Sequence, residues 1–257
     1  MLYGDWPPRH GEYRLDNGNT VAEPASSSTA SAPPPPSALT SQQLVMSYLL
    51  MRVFVGTIGL LLPWVLLIGN WLAGQAVQPS ISNYYYTPMR NVFVGALWAL
   101  AMFLIAYNGY DWPDRLITNI AGVCAIGISL FPTPPYGPST AHQQQIGYFH
   151  FAFAGVAFLL LGVMALRFAS REPTPAGLPF AGRCRYAFGF TGPGASSTPT
   201  WELVTYRVGG FLIFGCAALC YPLWQVDAYT LIFLETIILT AFGATWFIKG
   251  RKILGGS

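Results

Sequence analysis

The chain has 257 residues, of which 53% are apolar, 15% aromatic and only 9% charged, and its formal net charge is +3. A soluble domain carries about 25% charged residues, so this composition excludes an ordinary soluble fold and points to a polytopic membrane protein. The small net charge also gives no field of the kind that binds nucleic acid.

Residues 1–43 contain no apolar core, and from Ala22 they run "AEPASSSTASAPPPPSALTS". Ser, Ala and Pro without apolar periodicity bury too little surface to offset chain entropy, so this segment is expected to be a disordered tail. The rest, 44–250, reads as an all-α transmembrane bundle of six helices. A bilayer core needs about 20 apolar helical residues. Runs of this kind occupy 53–73, 92–110, 116–131, 146–166, 208–224 and 228–248, the third and fifth being short. Pro63 and Pro222 are expected to kink the first and fifth, because each removes a backbone donor. Trp71, Trp112, Tyr148, Trp224, Tyr229 and Trp246 fall at run ends, where interfaces favour aromatics. Four cysteines, Cys124, Cys184, Cys216 and Cys220, have neither zinc nor redox spacing and read as packing residues.

Orientation follows from the basic residues. With a cytoplasmic N-terminus, the inner segments hold Arg9, Arg14, Arg52, Arg115, Arg167, Arg171, Arg183, Arg185, Arg207, Lys249, Arg251 and Lys252, leaving only Arg90 of thirteen outside. This is a strong positive-inside asymmetry with both termini cytoplasmic. The segments 167–207, Gly/Pro/Ser-rich, and 251–257 are then a flexible cytoplasmic loop and a C-terminal tail.

The outer segment 79–91, "PSISNYYYTPMRN", is unusual in carrying that single basic residue. Glu235 lies about 10 Å inside the sixth run and His150 about 6 Å inside the fourth, both from the outer side. Ionisable groups at depth face the bundle interior and find partners. Ser82, Tyr85, Arg90, His150 and Glu235 are therefore the candidate ligand-binding residues of an outward-facing polar pocket, with Arg90 directed toward Glu235 or an anionic ligand. Two other chemistries fit the same residues. Ser82, His150 and Glu235 have the types of a nucleophile, base and orienter in an intramembrane lipid hydrolase. Glu235 alone suits a transporter. His142, His150, Asp227 and Glu235 match no metal-ligand spacing, so no metal or cofactor is assigned. In "GYDWPDR", Asp111 or Asp114 is expected to cap the third helix and pair with Arg115.

The stretches "SISNYYYTPMRNVFVG" and "LETIILTAFGATWFIKG", with "SYLLMRVFVGTIGLLLPWVLLIGNWL" before them, resemble a family of uncharacterised bacterial six-span membrane proteins. The resemblance spans roughly 45–250 apart from the loop at 167–207. It implies a bacterial cytoplasmic membrane and a six-span bundle, and it implies no activity; membrane lipids are the expected partners of such a chain. A more distant analogy, to membrane hydrolases related to alkaline ceramidases, lacks the second pair of histidines.

Overall fold

The structure, a computed structural model, describes residues 41–171, 201–224, 227 and 229–254. These residues are all-helical, with no strand among them. Six α-helices follow in order: α1 (Ser41–Leu72), α2 (Arg90–Ala106), α3 (Trp112–Leu130), α4 (Ala141–Ser170), α5 (Trp201–Trp224) and α6 (Thr230–Leu254). A 3-10 turn at Ser82–Tyr86 joins α1 to α2. Leu49–Leu72, Ala141–Ser170, Trp201–Cys220 and Thr230–Arg251 are long and apolar enough to cross a membrane. Helix α2 is apolar but shorter, and α3 opens on the charged pair Asp114 and Arg115. Among the described residues four helices, not six, thus meet the length and composition of a span by themselves. That is the make-up of a membrane protein.

Several helices run beyond their apolar cores. Residues 41–52, 167–170 and 201–207 are helical although they precede or follow the hydrophobic runs. An apolar run marks bilayer thickness, whereas a helix continues as long as its backbone bonds do. The remainder of the expected tail and of the expected loop lies outside the described residues.

Each helix packs on its chain neighbours, and α6 closes the ring on α1. The α1–α6 seam is the tightest. A Cβ added to Gly243 would overlap the Leu60 amide and lie 2.7 Å from the Gly56 carbonyl oxygen, and one on Gly56 would run into the backbone of Phe247. Only hydrogen at these positions permits such an approach, which is the usual way membrane helices gain contact. At the far end of α1, Gly74 adopts φ +71. The Gln75 amide reaches the Asn70 carbonyl at 3.0 Å and the Gly74 amide that of Trp71 at 2.9 Å, a Schellman ending.

Trp246, placed by sequence among the interfacial aromatics, is instead fully buried. It packs edge-on against Tyr107 and Phe168, with ring centroids 5.1 Å apart in both cases. Its place near a helix end was misleading because α6 continues past the apolar run to Leu254. Trp71, Trp112, Tyr148 and Tyr229 are exposed.

The end of the ring that holds the α2–α3 turn is basic. Asp111 caps α3 by accepting the Asp114 amide at 3.1 Å, with Pro113 in the first turn. The ion pairs run to α4 rather than to Arg115, which is exposed. Arg167 contacts Asp111 at 2.8 Å and also pairs with Asp114, while Arg171 pairs with Asp111. Sequence spacing favoured Arg115 because it is local, but the approach of α3 to α4 supplies closer cations.

Partial desolvation pushes the Asp111 carboxyl up. The Asp114 amide and the Arg171 and Arg167 guanidinium groups together outweigh it and hold the carboxyl below the usual carboxylate range. A depressed folded value means that the stabilisation is complete above the unfolded value of about 4 and disappears as pH falls through the folded one. The gap in melting temperature between wild type and Asp111→Asn is therefore expected to be widest near neutrality and to close in acid. A gap that stays constant from about pH 7 to about pH 3 would contradict this linkage.

Candidate functional site

The opposite end is closed by the α1–α2 connection. Three features fold this segment compactly. Ser80 Oγ and Asn83 Oδ1 lie 3.0 Å apart, and the Asn83 amide donates back to Ser80 Oγ at 3.2 Å. Thr87 Oγ1 donates to the Tyr84 carbonyl at 2.8 Å, ending the 3-10 turn. Ile81 and Tyr84 are buried as apolar anchors beside Leu66, Phe93 and Leu97.

Three bonds then fasten the segment to α6, to α4 and to the connection between α3 and α4. The first comes from α6. Glu235 is 9% exposed, and its Oε2 accepts the Ile81 amide at 2.5 Å. The Ser82 amide also faces this carboxylate. The amides at the start of a helical turn have no partner within it, so a carboxylate there supplies both an acceptor and the favoured charge. The second comes from α4, where His150, 2% exposed, has Nδ1 2.8 Å from the Phe131 carbonyl oxygen and Nε2 3.0 Å from Ser82 Oγ. A carbonyl only accepts, so Nδ1 carries the proton, and Nε2 accepts the Ser82 hydroxyl proton. Phe131 lies just past the end of α3, and Pro132, Pro134 and Pro135 cannot donate to its carbonyl. The imidazole fills that vacancy. The third is Tyr86 Oη, which donates to the Thr133 carbonyl at 2.7 Å.

Arg90 does not turn inward. Its Nη2 donates to Tyr85 Oη at 2.5 Å and its guanidinium carbon lies 4.2 Å from the centroid of the Tyr85 ring. Arg90 is exposed and Tyr85 half-buried. The expected Arg90–Glu235 pairing is thus replaced by two separate ones. The backbone of the segment reaches Glu235 first, and a ring five residues away on the same segment is a closer partner for Arg90 than a carboxylate under the cap. Of the five residues singled out by sequence, Ser82 and His150 meet directly. Glu235 reaches the same turn through its backbone, and Tyr85 with Arg90 forms the exposed rim. Sequence reading missed Ile81, whose contribution is an amide, and the Phe131 and Thr133 carbonyls. Backbone groups leave no side-chain signature, although the proline cluster after Phe131 marks carbonyls in need of donors. His142 stands exposed in the first turn of α4, within a Thr140–Gln143 capping box. Asp227 is exposed as well, and among the described residues no group of three ligating side chains assembles.

Chemically, the cap end offers a buried carboxylate committed to amides, a hydroxyl–imidazole–carbonyl chain, and an exposed cation on a tyrosine face. Replacing Glu235 by leucine is expected to cost about 1–3 kcal/mol, since the Ile81 amide is left unsatisfied. Glu235→Gln keeps an acceptor and should cost less. Equal losses for the two variants in thermal unfolding would show that the carboxylate does not hold the cap.

No family model, curated protein or solved structure matches the chain.

Proposed function

We propose that the chain is a six-span protein of a bacterial cytoplasmic membrane with both termini cytoplasmic, and that its capped end faces outward and binds an anionic lipid headgroup or small ligand at Arg90 and Tyr85. Six spans follow if α2 and α3 cross as part of the closed ring, where neighbouring helices shelter the short α2 and the polar start of α3. The outward direction of the cap follows from the basic residues, which gather at the other end. The observation that carries the binding reading is the Arg90–Tyr85 pair. It is an exposed guanidinium held over a ring and bonded to its hydroxyl, on a segment pinned to α4 and α6. A cation preorganised in this way loses little further freedom on meeting an anion. His150 and Glu235 serve as the posts that keep the rim in place.

Two measurements test this. Cysteines placed at the exposed positions Gln75 and Gln144 should label from outside intact cells, and one at Ser170 should not; the reverse pattern inverts the topology. Purified protein should then melt several degrees higher with phosphatidylglycerol than with phosphatidylcholine, and Arg90→Gln should abolish the difference. An unchanged difference in Arg90→Gln removes the rim as the binding element.

A second reading rests on one observation, the Ser82 hydroxyl pointing to a histidine oriented by a carbonyl. That order of groups is the activated-nucleophile arrangement of a hydrolase. Glu235 is not its orienter. Covalent labelling by a fluorophosphonate, lost in Ser82→Ala, would favour it; absence of labelling leaves His150 as a post.

A further inference from the structure

The rim and the Ser82–His150 pair belong to one edge of the same turn. Ser82 and Tyr85 are three residues apart in the 3-10 turn Ser82–Tyr86, and side chains three apart in such a turn eclipse one another. Tyr85 carries Arg90, whose Nη2 donates to its hydroxyl at 2.5 Å and whose guanidinium carbon stands 4.2 Å from its ring centroid. Ser82 carries His150, with Oγ 3.0 Å from Nε2. Exposure falls along this series. Arg90 is exposed, Tyr85 and Ser82 are half-buried, and His150 is 2% exposed. The imidazole stands on α4, one of the helices long and apolar enough to cross a membrane, so the series descends from the water side toward the lipid.

A glycerophospholipid is layered in the same order. Its phosphate lies outermost, its acyl ester carbonyls lie just beneath at the edge of the hydrocarbon, and its chains fill the core. A phosphate held by the Arg90 fork therefore brings an ester group toward the depth of the half-buried hydroxyl. That hydroxyl is prepared for attack. Nδ1–H of His150 donates to the Phe131 carbonyl at 2.8 Å, which leaves Nε2 unprotonated toward Ser82. Glu235 accepts the Ile81 amide and faces that of Ser82. It thus fixes the backbone that carries the serine and takes no part in the proton transfer.

Taking the rim as the headgroup site proposed above, on which this step rests, we infer that Ser82 cleaves an acyl ester of the same lipid, a glycerophospholipid whose phosphate is held by Arg90 and Tyr85. Ser82 Oγ bonds to the ester carbonyl carbon as its proton passes to His150 Nε2. The bond from that carbon to the glycerol oxygen then breaks, and the oxygen takes the proton from Nε2. Water cleaves the acyl-serine by the same two proton transfers and restores Ser82. The products are a lysophospholipid and a fatty acid.

The test incubates the purified full-length protein with phosphatidylglycerol in mixed micelles and follows lysophosphatidylglycerol by mass spectrometry. Arg115→Gln, which removes an exposed cation at the opposite end, should match wild type. Release should disappear in Ser82→Ala and fall about a hundredfold or more in His150→Gln, as for a lost general base. Arg90→Gln should raise KM about tenfold with kcat little changed, as for a contact made equally before and during the reaction. A fluorophosphonate should attach to Ser82 of the wild type, and this adduct decides the matter if His150→Gln does not fold. Stabilisation by anionic lipid that depends on Arg90, without lysolipid release and without an adduct at Ser82, overturns the inference and leaves the binding reading standing. Release that survives Ser82→Ala also overturns it. Ser82-dependent release with no effect of Arg90→Gln removes the rim as the headgroup site and, with it, the inferred substrate class.

Discussion

Replacing Gly243 by alanine is expected to destabilise the protein by about 3 kcal/mol, at the upper end of what overpacking costs, while the same change at Gly95 should be neutral or stabilise by up to about 1 kcal/mol. The two glycines sit in apolar helices and look alike in sequence. Their surroundings differ. A methyl group on Gly95 meets nothing within 4 Å, whereas one on Gly243 meets the backbone of α1 at Leu60 and Gly56. Flexible side chains can turn aside, but two helix backbones in contact can only separate. Separation would also loosen Phe242 and Trp246, which are fully buried against the same ring of helices. Thermal unfolding in a common detergent measures both variants. Similar melting temperatures for Gly243→Ala and Gly95→Ala would mean that α1 and α6 do not meet as described.

The second large effect is expected at Asp114. This carboxylate is 1% exposed, accepts the Tyr110 amide at 3.1 Å and pairs with Arg167. Truncation to alanine strips a half-buried amide of its acceptor and leaves Arg167 with Asp111 alone. Breaking a fully buried pair costs about 3–5 kcal/mol. Arg167 retains 28% of its side-chain exposure, so about 2–3 kcal/mol is the expected loss, the remainder being recovered by water at the cation. Asp114→Asn keeps an acceptor for Tyr110 and should lose less. The ranking wild type, asparagine, alanine in unfolding temperature checks the argument, and an alanine variant as stable as wild type contradicts it.

The helices were legible in the sequence because hydrophobic runs of this length have few alternatives, and the basic end was legible because arginine and lysine cluster there. Helix limits were not. The extension of α5 back to Trp201 carries Glu202, Thr205 and Arg207, which hydropathy reads as loop, although helical hydrogen bonding does not depend on side-chain polarity. The candidate residues stood out in the sequence by their side chains, and their pairings did not. His150 and Glu235 stood out because charge at depth is costly. That Glu235 would serve the Ile81 amide rather than Arg90 depends on where the 3-10 turn places its first donors, a fact of backbone geometry. The burial of Arg52 beside Tyr107, Tyr110 and Phe168 was hidden for a different reason. A basic residue at a span end satisfies the topology rule, so nothing in the sequence distinguishes a solvated arginine from an enclosed one.

Hydrogen exchange across residues 80–91 tests the central claim, that this segment is a cap pinned from below by Glu235 and His150 and presenting Arg90 as its binding rim. The measurement compares nanodiscs containing phosphatidylglycerol with nanodiscs of phosphatidylcholine alone. The Ile81 amide and the 3-10 turn should be protected in both, with the segment around Arg90 slowed further by the anionic lipid and this extra protection absent in Arg90→Gln. Rapid exchange of the segment in the wild-type protein, with no dependence on lipid charge, would show an unpinned loop and contradict both the cap and its proposed ligand.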